Sequence, residues 1–113
     1  MGRKRSWVVA LVLGGLFGAA LYLSAGGDAT AGKTVYDKKC AMCHGKAGEG
    51  NPGMAKMLKV ELHPLGSKPT QARSDADWRK IIAEGSGKMK AVAGLSEAQV
   101  ADVIAYCRTL AQK

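Results

Sequence analysis

The chain has 113 residues, of which 47% are hydrophobic and 5% aromatic, and its formal net charge is +8. Its apolar N-terminal segment raises the hydrophobic fraction, and the rest of the chain is long enough for one small domain. A core of that size usually needs reinforcement by a covalent bond or a cofactor. Because the basic residues are scattered and no nucleic-acid-binding motif is present, we expect no nucleic-acid partner.

The N-terminal segment has the layout of an export signal or a single membrane anchor. Residues 1–6 are basic, residues 7–23 carry no charge, and small and polar residues follow. The basic start predicts that the N-terminus stays in the cytoplasm and that the rest lies on the periplasmic side. An apolar stretch of 17 residues is longer than a usual signal core and shorter than an ideal membrane span. We expect residues 1–25 to be retained as an anchor that contacts the membrane through residues 7–23, with a cleaved signal peptide and a soluble periplasmic protein as the alternative.

Residues 26–31 are predicted to be a tether and residues 32–113 the folded domain. The first helix is expected to run to residue 39 from a start near Asp28 or Thr30, since either side chain can cap a helix. The segment 29–31, Ala-Thr-Ala, has the A-x-A form of a signal cleavage site. Cleavage there would remove the expected helix cap, which argues against that position.

The motif C-A-M-C-H, from Cys40 to His44, is the most informative feature of the chain. C-x-x-C-H is the attachment signature of c-type haem. The two thiols can add to the two vinyl groups of one porphyrin, and a neutral imidazole nitrogen of the next residue is a good iron ligand. We therefore predict one haem c, attached through Cys40 and Cys43, with His44 as an axial ligand of the iron.

A zinc half-site and a redox dithiol are the alternatives for this motif. A structural zinc site needs four ligands, and beyond the motif the chain offers His63 and Cys107, which are far apart in sequence. A thioredoxin-like dithiol needs a surrounding βαβ pattern, and no strand pattern is present. Cys107 lies on an apolar stripe of helical period, so we expect it to be a buried core residue.

Loops and short helices are predicted after the motif. A glycine-rich loop extends to Gly50, a short helix covers residues 54–60, and residues 61–73 form a loop because they contain two prolines and a glycine. Two longer helices follow, over residues 74–84 and residues 96–111, and Gly85 ends the first of them. Each begins with a serine that has a capping partner three positions later: Ser74 with Asp77, and Ser96 with Gln99.

This layout resembles class I c-type cytochromes, especially small bacterial monohaem proteins of the cytochrome c6 and c551/c552 kind, from about Asp28 to the C-terminus. Gly32 and Tyr36 precede Cys40 at the spacing of the family's first helix, and Tyr106 matches the aromatic residue of its last helix. The resemblance implies an all-α cytochrome c fold, with about four short helices around one covalently bound haem, here preceded by an N-terminal hydrophobic helix. It also implies that the first and last helices cross, with the glycine permitting close approach.

The resemblance further implies a methionine ligand on the sixth position of the iron, in the loop before the last helix. Here that residue is Met89, and a thioether ligand stabilises Fe(II). The family often has a proline next, where this chain has Lys90, so the loop is expected to be less rigid. The alternatives are Met54 and Met57, which we interpret as core-filling residues, and His63, which we interpret as a solvated loop residue.

His44 is expected to donate its second ring N–H to a fixed acceptor, which would set its tautomer. Related cytochromes use a proline carbonyl that follows the motif, and Pro52 is the nearest match in this chain.

With both axial positions filled, the expected function is single-electron transfer between redox proteins outside the cytoplasm, with no small-molecule substrate and no enzymatic activity. Lys46, Lys88 and Lys90 are candidates to surround the haem edge and meet an acidic partner. One alternative is a membrane-anchored haem c subunit of a larger respiratory or photosynthetic complex. Another is a haem-based gas sensor, which would need a labile sixth ligand.

Overall fold

The computed structural model describes residues 26–112, which form helices joined by loops. In chain order the helices are α1 (Ala29–Lys39), α2 (Ala41–His44), α3 (Pro52–Leu58), α4 (Lys68–Gln71), α5 (Asp75–Glu84) and α6 (Glu97–Thr109). The described part contains no β-strand beyond an isolated bridge between Ser86 and Met89. The predicted all-α architecture is therefore confirmed. The predicted N-terminal hydrophobic helix lies outside the described residues.

Helix α1 begins earlier than the predicted domain boundary. The Asp28 side chain accepts hydrogen bonds from the backbone N–H groups of Thr30, at 2.8 Å, and Ala31, at 3.4 Å. Because these bonds satisfy two N–H groups of the first turn, residues 29–31 are already helical. The expected start of the helix near Asp28 or Thr30 is therefore observed, and residues 29–31 of the predicted tether belong to α1. The backbone N–H of Asp28 also donates to Oδ1 of Asp102 at 2.8 Å, which fixes the start of α1 against α6.

Helices α1 and α6 cross at Gly32, as the resemblance implied. Gly32 is buried, and a Cβ atom there would overlap the carbonyl oxygen of Asp102. One turn later the rings of Tyr36 and Tyr106 pack with their centroids 5.1 Å apart and an interplanar angle of 55°. Glycine at position 32 is thus required by the close approach of the two backbones, which outweighs the cost of about 1 kcal/mol for glycine in a helix.

The buried core joins α1, α5 and α6. Its members are apolar side chains that project inward from these three helices: Tyr36, Trp78, Ile82, Val103, Ile104 and Cys107. Cys107 is 4% exposed, which confirms the prediction that it is a core residue. Half-buried side chains pack around this cluster, and Cys40 of the C-A-M-C-H motif is one of them. The motif is therefore attached directly to the edge of the core.

Six helical segments are present in the described residues, where the sequence predicted about four. One of the additional helices is α2, which is the motif itself. The other is α4, which lies inside the predicted loop over residues 61–73. Pro69 sits in its first turn, where the missing N–H of proline costs nothing because that group has no partner in the helix. Helix α3 begins at Pro52, two residues before its predicted start, because Asn51 caps it.

The caps of the two C-terminal helices are both formed. Ser96 and Gln99 make a complete capping box at α6, with each side chain accepting a hydrogen bond from the other's backbone N–H. At α5 the Ser74 hydroxyl accepts from the backbone N–H of Asp77 at 3.1 Å, which is one half of the predicted box. Between residues 26 and 112, no helix is long and apolar enough to cross a membrane.

Candidate cofactor site

The C-A-M-C-H motif lies at the junction of α1 and α2. The last backbone hydrogen bond of α1 runs from the N–H of Cys40 to the carbonyl of Tyr36, at 2.9 Å. Cys43 and His44 then occupy the single turn of α2, and Gly45 ends it with a φ of 81°, a conformation that favours glycine. The two cysteines are therefore presented on one helical turn directly after α1.

Four consecutive carbonyl groups of this turn are held by residues outside it. The Asn51 side chain donates to the carbonyl of Met42 at 2.9 Å, and the Asn51 backbone N–H donates to that of Cys43 at 2.9 Å. The backbone N–H of Gly50 donates to the carbonyl of His44 at 2.7 Å. Carbonyl groups at a helix C-terminus otherwise lack partners, so the returning loop fixes the orientation of the motif.

The fourth of these carbonyl groups, that of Gly45, accepts a 2.5 Å hydrogen bond from the hydroxyl group of Tyr36. Tyr36 is fully buried in the core, and burial raises the pKa of its hydroxyl group. The tyrosine therefore stays protonated and can act as a donor. Neither this bond nor the role of Asn51 was predicted, although an asparagine directly before a helix that begins with proline is a recognisable capping signal.

A cavity of about 300 Å³ opens beside the motif, within the size range of small-molecule and cofactor sites. Cys40 and His44 line one side, and Met89, from the loop before α6, also lines it. Core residues complete the wall: Trp78, Ile82, Val103 and Cys107. The structure thus brings together three of the predicted site residues around a largely apolar space.

Other predicted residues lie elsewhere. Cys43 is half-buried on α2 but does not line the cavity, and Pro52 opens α3. Of the alternative iron ligands, His63 lines the cavity, with most of its side chain exposed, whereas Met54 and Met57 do not line it. Met57 is 66% exposed, so its interpretation as a core-filling residue is wrong.

His44 has the properties of a metal-binding imidazole. Burial lowers its pKa, which keeps the ring neutral near pH 7, the form that binds iron. Its Nδ1 atom is buried without a hydrogen-bond partner, so the predicted bond to Pro52 is not formed. Pro52 is the first residue of α3, where a carbonyl group is directed along the helix axis towards the next turn. His44 therefore lines the cavity as a neutral imidazole, which fits an iron ligand, without the hydrogen-bond acceptor that was expected for its second nitrogen.

The thiol groups at the cavity are protonated at neutral pH. Burial, together with the charge of neighbouring Cys43, raises the pKa of Cys40 to about 11. Burial likewise raises the pKa of Cys107 to about 12. The described residues contain no group of three or more His, Cys, Asp or Glu side chains that could hold a metal ion. The cavity offers the imidazoles of His44 and His63, the Met89 thioether and the Cys40 thiol, with Cys43 on the adjacent turn. This set fits haem better than a zinc ion.

Met89 is held by a tight turn. Its backbone N–H and carbonyl exchange two hydrogen bonds with Ser86, each 2.9 Å long. Gly85 has a φ of 80°, and a Cβ atom at that position would lie 2.5 Å from the carbonyl oxygen of Met89. Glycine is therefore required for the close contact between the two sides of this loop. The turn itself restricts the loop, although this chain has Lys90 where related proteins often have a proline.

Two cavity residues that the sequence did not identify carry hydrogen-bond donors. The Nε1 atom of Trp78 is buried without a partner, although Trp78 is 7% exposed and lines the cavity. Arg73 lines the same cavity from the link between α4 and α5. Such donors suit the carboxylate groups of a porphyrin. From the sequence, Trp78 has an apolar role alone, because its position on the buried face of α5 accounts for the ring and not for the N–H.

Comparisons with known proteins agree on one family. The family model described as Cytochrome c matches residues 29–111. Cytochrome c-554(547) of Halothiobacillus neapolitanus is 36% identical over 90 residues, which cover 74% of this chain and 98% of that protein.

Two solved structures have a similar fold. The KustC0563 c-type cytochrome matches with a TM-score of 0.61 and 23% identity, over 72% of this chain and 98% of that one. Cytochrome cL from Hyphomicrobium denitrificans matches with a TM-score of 0.54 and 22% identity, over 77% of this chain and 49% of that one.

Proposed function

Because this chain belongs to the cytochrome c family, whose class I members carry covalently attached haem c, we propose that it is a single-haem electron carrier and not an enzyme. The observation that supports this most strongly is the cavity lined by Cys40, His44 and Met89. The His44 imidazole and the Met89 thioether would together ligate a haem iron bound in this cavity. No position is then left for a substrate.

In this proposal Cys40 and Cys43 form thioether bonds to the porphyrin, and the carbonyl contacts of Asn51 and Tyr36 hold the turn that carries them. Haem c supplies an iron that alternates between Fe(III) and Fe(II), so that it accepts and releases single electrons. Attachment also adds a large apolar surface to a small core, which stabilises a domain of this size.

We assign His44 as the proximal ligand and Met89 as the sixth ligand. The neutral state of the buried His44 ring supports the first assignment. The paired hydrogen bonds of the Ser86–Met89 turn support the second, since they hold the methionine backbone at the cavity. A methionine ligand favours the reduced iron and therefore a positive reduction potential. The Trp78 indole N–H and the Arg73 guanidinium are assigned to the haem carboxylates.

We propose that the domain acts on the periplasmic side of a membrane, with residues 1–25 directing its export. The fixed start of α1 bears on how that segment is processed. Asp28 is bonded to Asp102, and a Cβ atom at Gly27 would overlap the backbone of Asp102. A cleavage that preserves this packing would fall before residue 27, which argues against the A-x-A sequence at residues 29–31. If the segment is retained, the alternative role is that of an anchored subunit, which co-purification with larger subunits would reveal.

The partner is proposed to be a redox protein with an acidic surface. Lys46 and Lys88 are exposed beside two site residues, His44 and Met89 respectively, and Lys90 is exposed directly after Met89. Positive charge around a redox centre raises the rate of encounter with an acidic partner, and the effect weakens as salt screens it.

Covalent attachment of haem is the test of this function. The full chain would be produced in a bacterial host that matures c-type cytochromes, and haem would be stained after denaturing electrophoresis. We expect haem to stay with the wild-type chain and with a Cys107→Ser control, and to be lost from a Cys40→Ser/Cys43→Ser variant. Loss of haem from the wild-type chain, or its retention in the double variant, would contradict the proposal.

A further inference from the structure

One arginine outside the cavity makes hydrogen bonds to three segments. Arg108 lies in the last turn of α6 and is not among the residues that line the cavity. Its Nη1 atom donates to the carbonyl of Gln71 at 2.6 Å, and its Nη2 atom donates to the carbonyl of Arg73 and to Oδ1 of Asp75, both at 2.7 Å. One guanidinium thus joins the end of α4, the link that follows and the first residue of α5 to α6.

The segment from residue 68 to residue 77, here called the α4–α5 corner, is tied to α6 through side chains. Gln71 donates through Nε2 to the carbonyl of Cys107 at 3.0 Å and to that of Leu65 at 2.9 Å. Within the described residues, Gln71 and Arg108 make all the hydrogen bonds between the corner and α6. The position of the corner on α6 therefore depends on these two side chains.

The corner and the start of α5 supply the polar groups of one cavity wall. Arg73 and Trp78 both line the cavity, and the Trp78 Nε1 atom is buried without a partner. The Arg108 guanidinium also lies over the Trp78 ring, 5.1 Å from its centroid, a cation–π contact that restricts the ring. The Trp78 N–H has no acceptor to set its direction, so the orientation of the ring depends on packing contacts, and the Arg108 guanidinium makes one of them.

We propose that Arg108 is a positioning residue, which holds the Arg73 and Trp78 donors at the cavity wall and so sets their hydrogen bonds to the haem carboxylates. The inference rests on the proposed haem site. It extends that site to a residue that touches neither the cavity nor the motif. Through the carboxylates, Arg108 influences the reduction potential of the iron.

Geometry rather than charge is the basis of this role. The positive charge of Arg108 is matched by Asp75, with which it forms an ion pair of 2.7 Å. Its planar fork reaches three acceptors at once, whereas a lysine ammonium is a single point on a flexible stem. Arg108→Lys therefore keeps the charge and removes the fork. Arg79→Lys is the matched control, because Arg79 is exposed on α5 and is not part of these contacts.

The test is the reduction potential of the haem-loaded full chain, measured from mildly acidic to mildly alkaline pH. Carboxylates that lose their donors bind protons more tightly, and once ionised they stabilise Fe(III). Arg108→Lys should therefore have a lower potential at the alkaline end of the range, where the carboxylates are ionised in both proteins, and its pH-dependent step should move to higher pH. Arg79→Lys should match the wild type. Glu61 and His63 also line the cavity and are left unchanged in each variant, so the variants are compared by the difference between their curves and the wild-type curve.

An unchanged potential and an unchanged pH-dependent step in Arg108→Lys would overturn the inference, even if the variant were less stable, because a purely structural role predicts that result. Should Arg108→Lys fail to hold haem, Asp75→Ala removes one acceptor of the fork and should give a smaller shift in the same direction. No shift there would also overturn it. A wild-type chain without haem would overturn the proposed function as well, which separates the two failures.

Discussion

The hydroxyl group of Tyr36 donates a hydrogen bond of 2.5 Å to the carbonyl oxygen of Gly45, the residue that follows His44. Tyr36 is fully buried where α1 crosses α6, so this bond connects the helix crossing to the end of the haem-binding motif. The stability of the core and the orientation of the proposed proximal ligand are therefore coupled through one side chain.

Tyr36→Phe tests that coupling. Removing the hydroxyl leaves the Gly45 carbonyl with a weaker 3.3 Å contact from the N–H of Gly48, so we expect a loss of about 1–3 kcal/mol in the free energy of unfolding. Denaturant unfolding of the oxidised protein measures it. Tyr106→Phe is the control, because the two rings pack together but the Tyr106 hydroxyl makes no comparable bond to residues 26–112. Equal losses of unfolding free energy in Tyr36→Phe and Tyr106→Phe would show that the hydrogen bond of the Tyr36 hydroxyl adds no stability of its own.

Gly32→Ala should disrupt the crossing of α1 and α6. The new methyl group would overlap the Asp102 carbonyl oxygen, and relief requires the two helices to separate. Overpacking of this kind costs about 1–3 kcal/mol or more, and we expect a lower thermal midpoint and poorer yield of the haem-loaded protein. Gly26→Ala is the control, since a Cβ atom there meets nothing within 4 Å. Wild-type stability in Gly32→Ala would mean that the helices are less closely packed than described.

Met89→Ala should remove the sulfur ligand and leave the rest of the chain folded. We expect loss of the weak far-red sulfur-to-iron band, a lower reduction potential and binding of carbon monoxide by the ferrous protein. Met57→Ala, which alters an exposed methionine, should keep the wild-type spectrum. If instead His63→Ala abolished the normal sixth ligation and Met89→Ala did not, the ligand assignment would pass to His63, which lines the same cavity.

Alkaline pH should weaken the fold through Cys107. Burial raises the pKa of its thiol to about 12 in the folded chain, from 9.0. The folded state therefore holds this proton more tightly, so the associated stability is complete below pH 9 and is lost as the pH rises towards 12. The loss approaches about 1.4 kcal/mol per pH unit. Cys107→Ala should start less stable and decline less steeply. If the unfolding free energies of the wild type and Cys107→Ala declined in parallel above pH 9, the Cys107 thiol would not be the buried group responsible.

The lysines beside the site should accelerate reaction with an anion. Oxidation of the reduced protein by hexacyanoferrate(III) should slow as salt is added, and Lys88→Gln with Lys46→Gln should lower the low-salt rate by up to about tenfold. Lys80→Gln, on the exposed surface of α5, is the control. If the rate depended on salt equally in all three proteins, the positive potential would come from the whole molecule and not from Lys46 and Lys88.

The sequence predicted the site better than its surroundings. Local signals identified the C-A-M-C-H motif and the capping box at α6, and the resemblance supplied the Gly32 crossing and Met89. What it missed depends on contacts between distant residues. The start of α1 depends on Asp102, and the unpartnered indole of Trp78 is visible only once the cavity exists. Arg108 is one of many basic residues in sequence, and its fork finds three acceptors only after α4 and α5 pack on α6.

Visible absorption spectra of the purified protein would show whether His44 and Met89 ligate one covalently attached haem. We expect sharp c-type bands on reduction and a weak far-red sulfur-to-iron band in the oxidised protein. Haem bands without the far-red band would contradict methionine ligation and favour His63 or an open sixth position. Absence of any haem spectrum, in protein from a host that matures c-type cytochromes, would contradict the whole account.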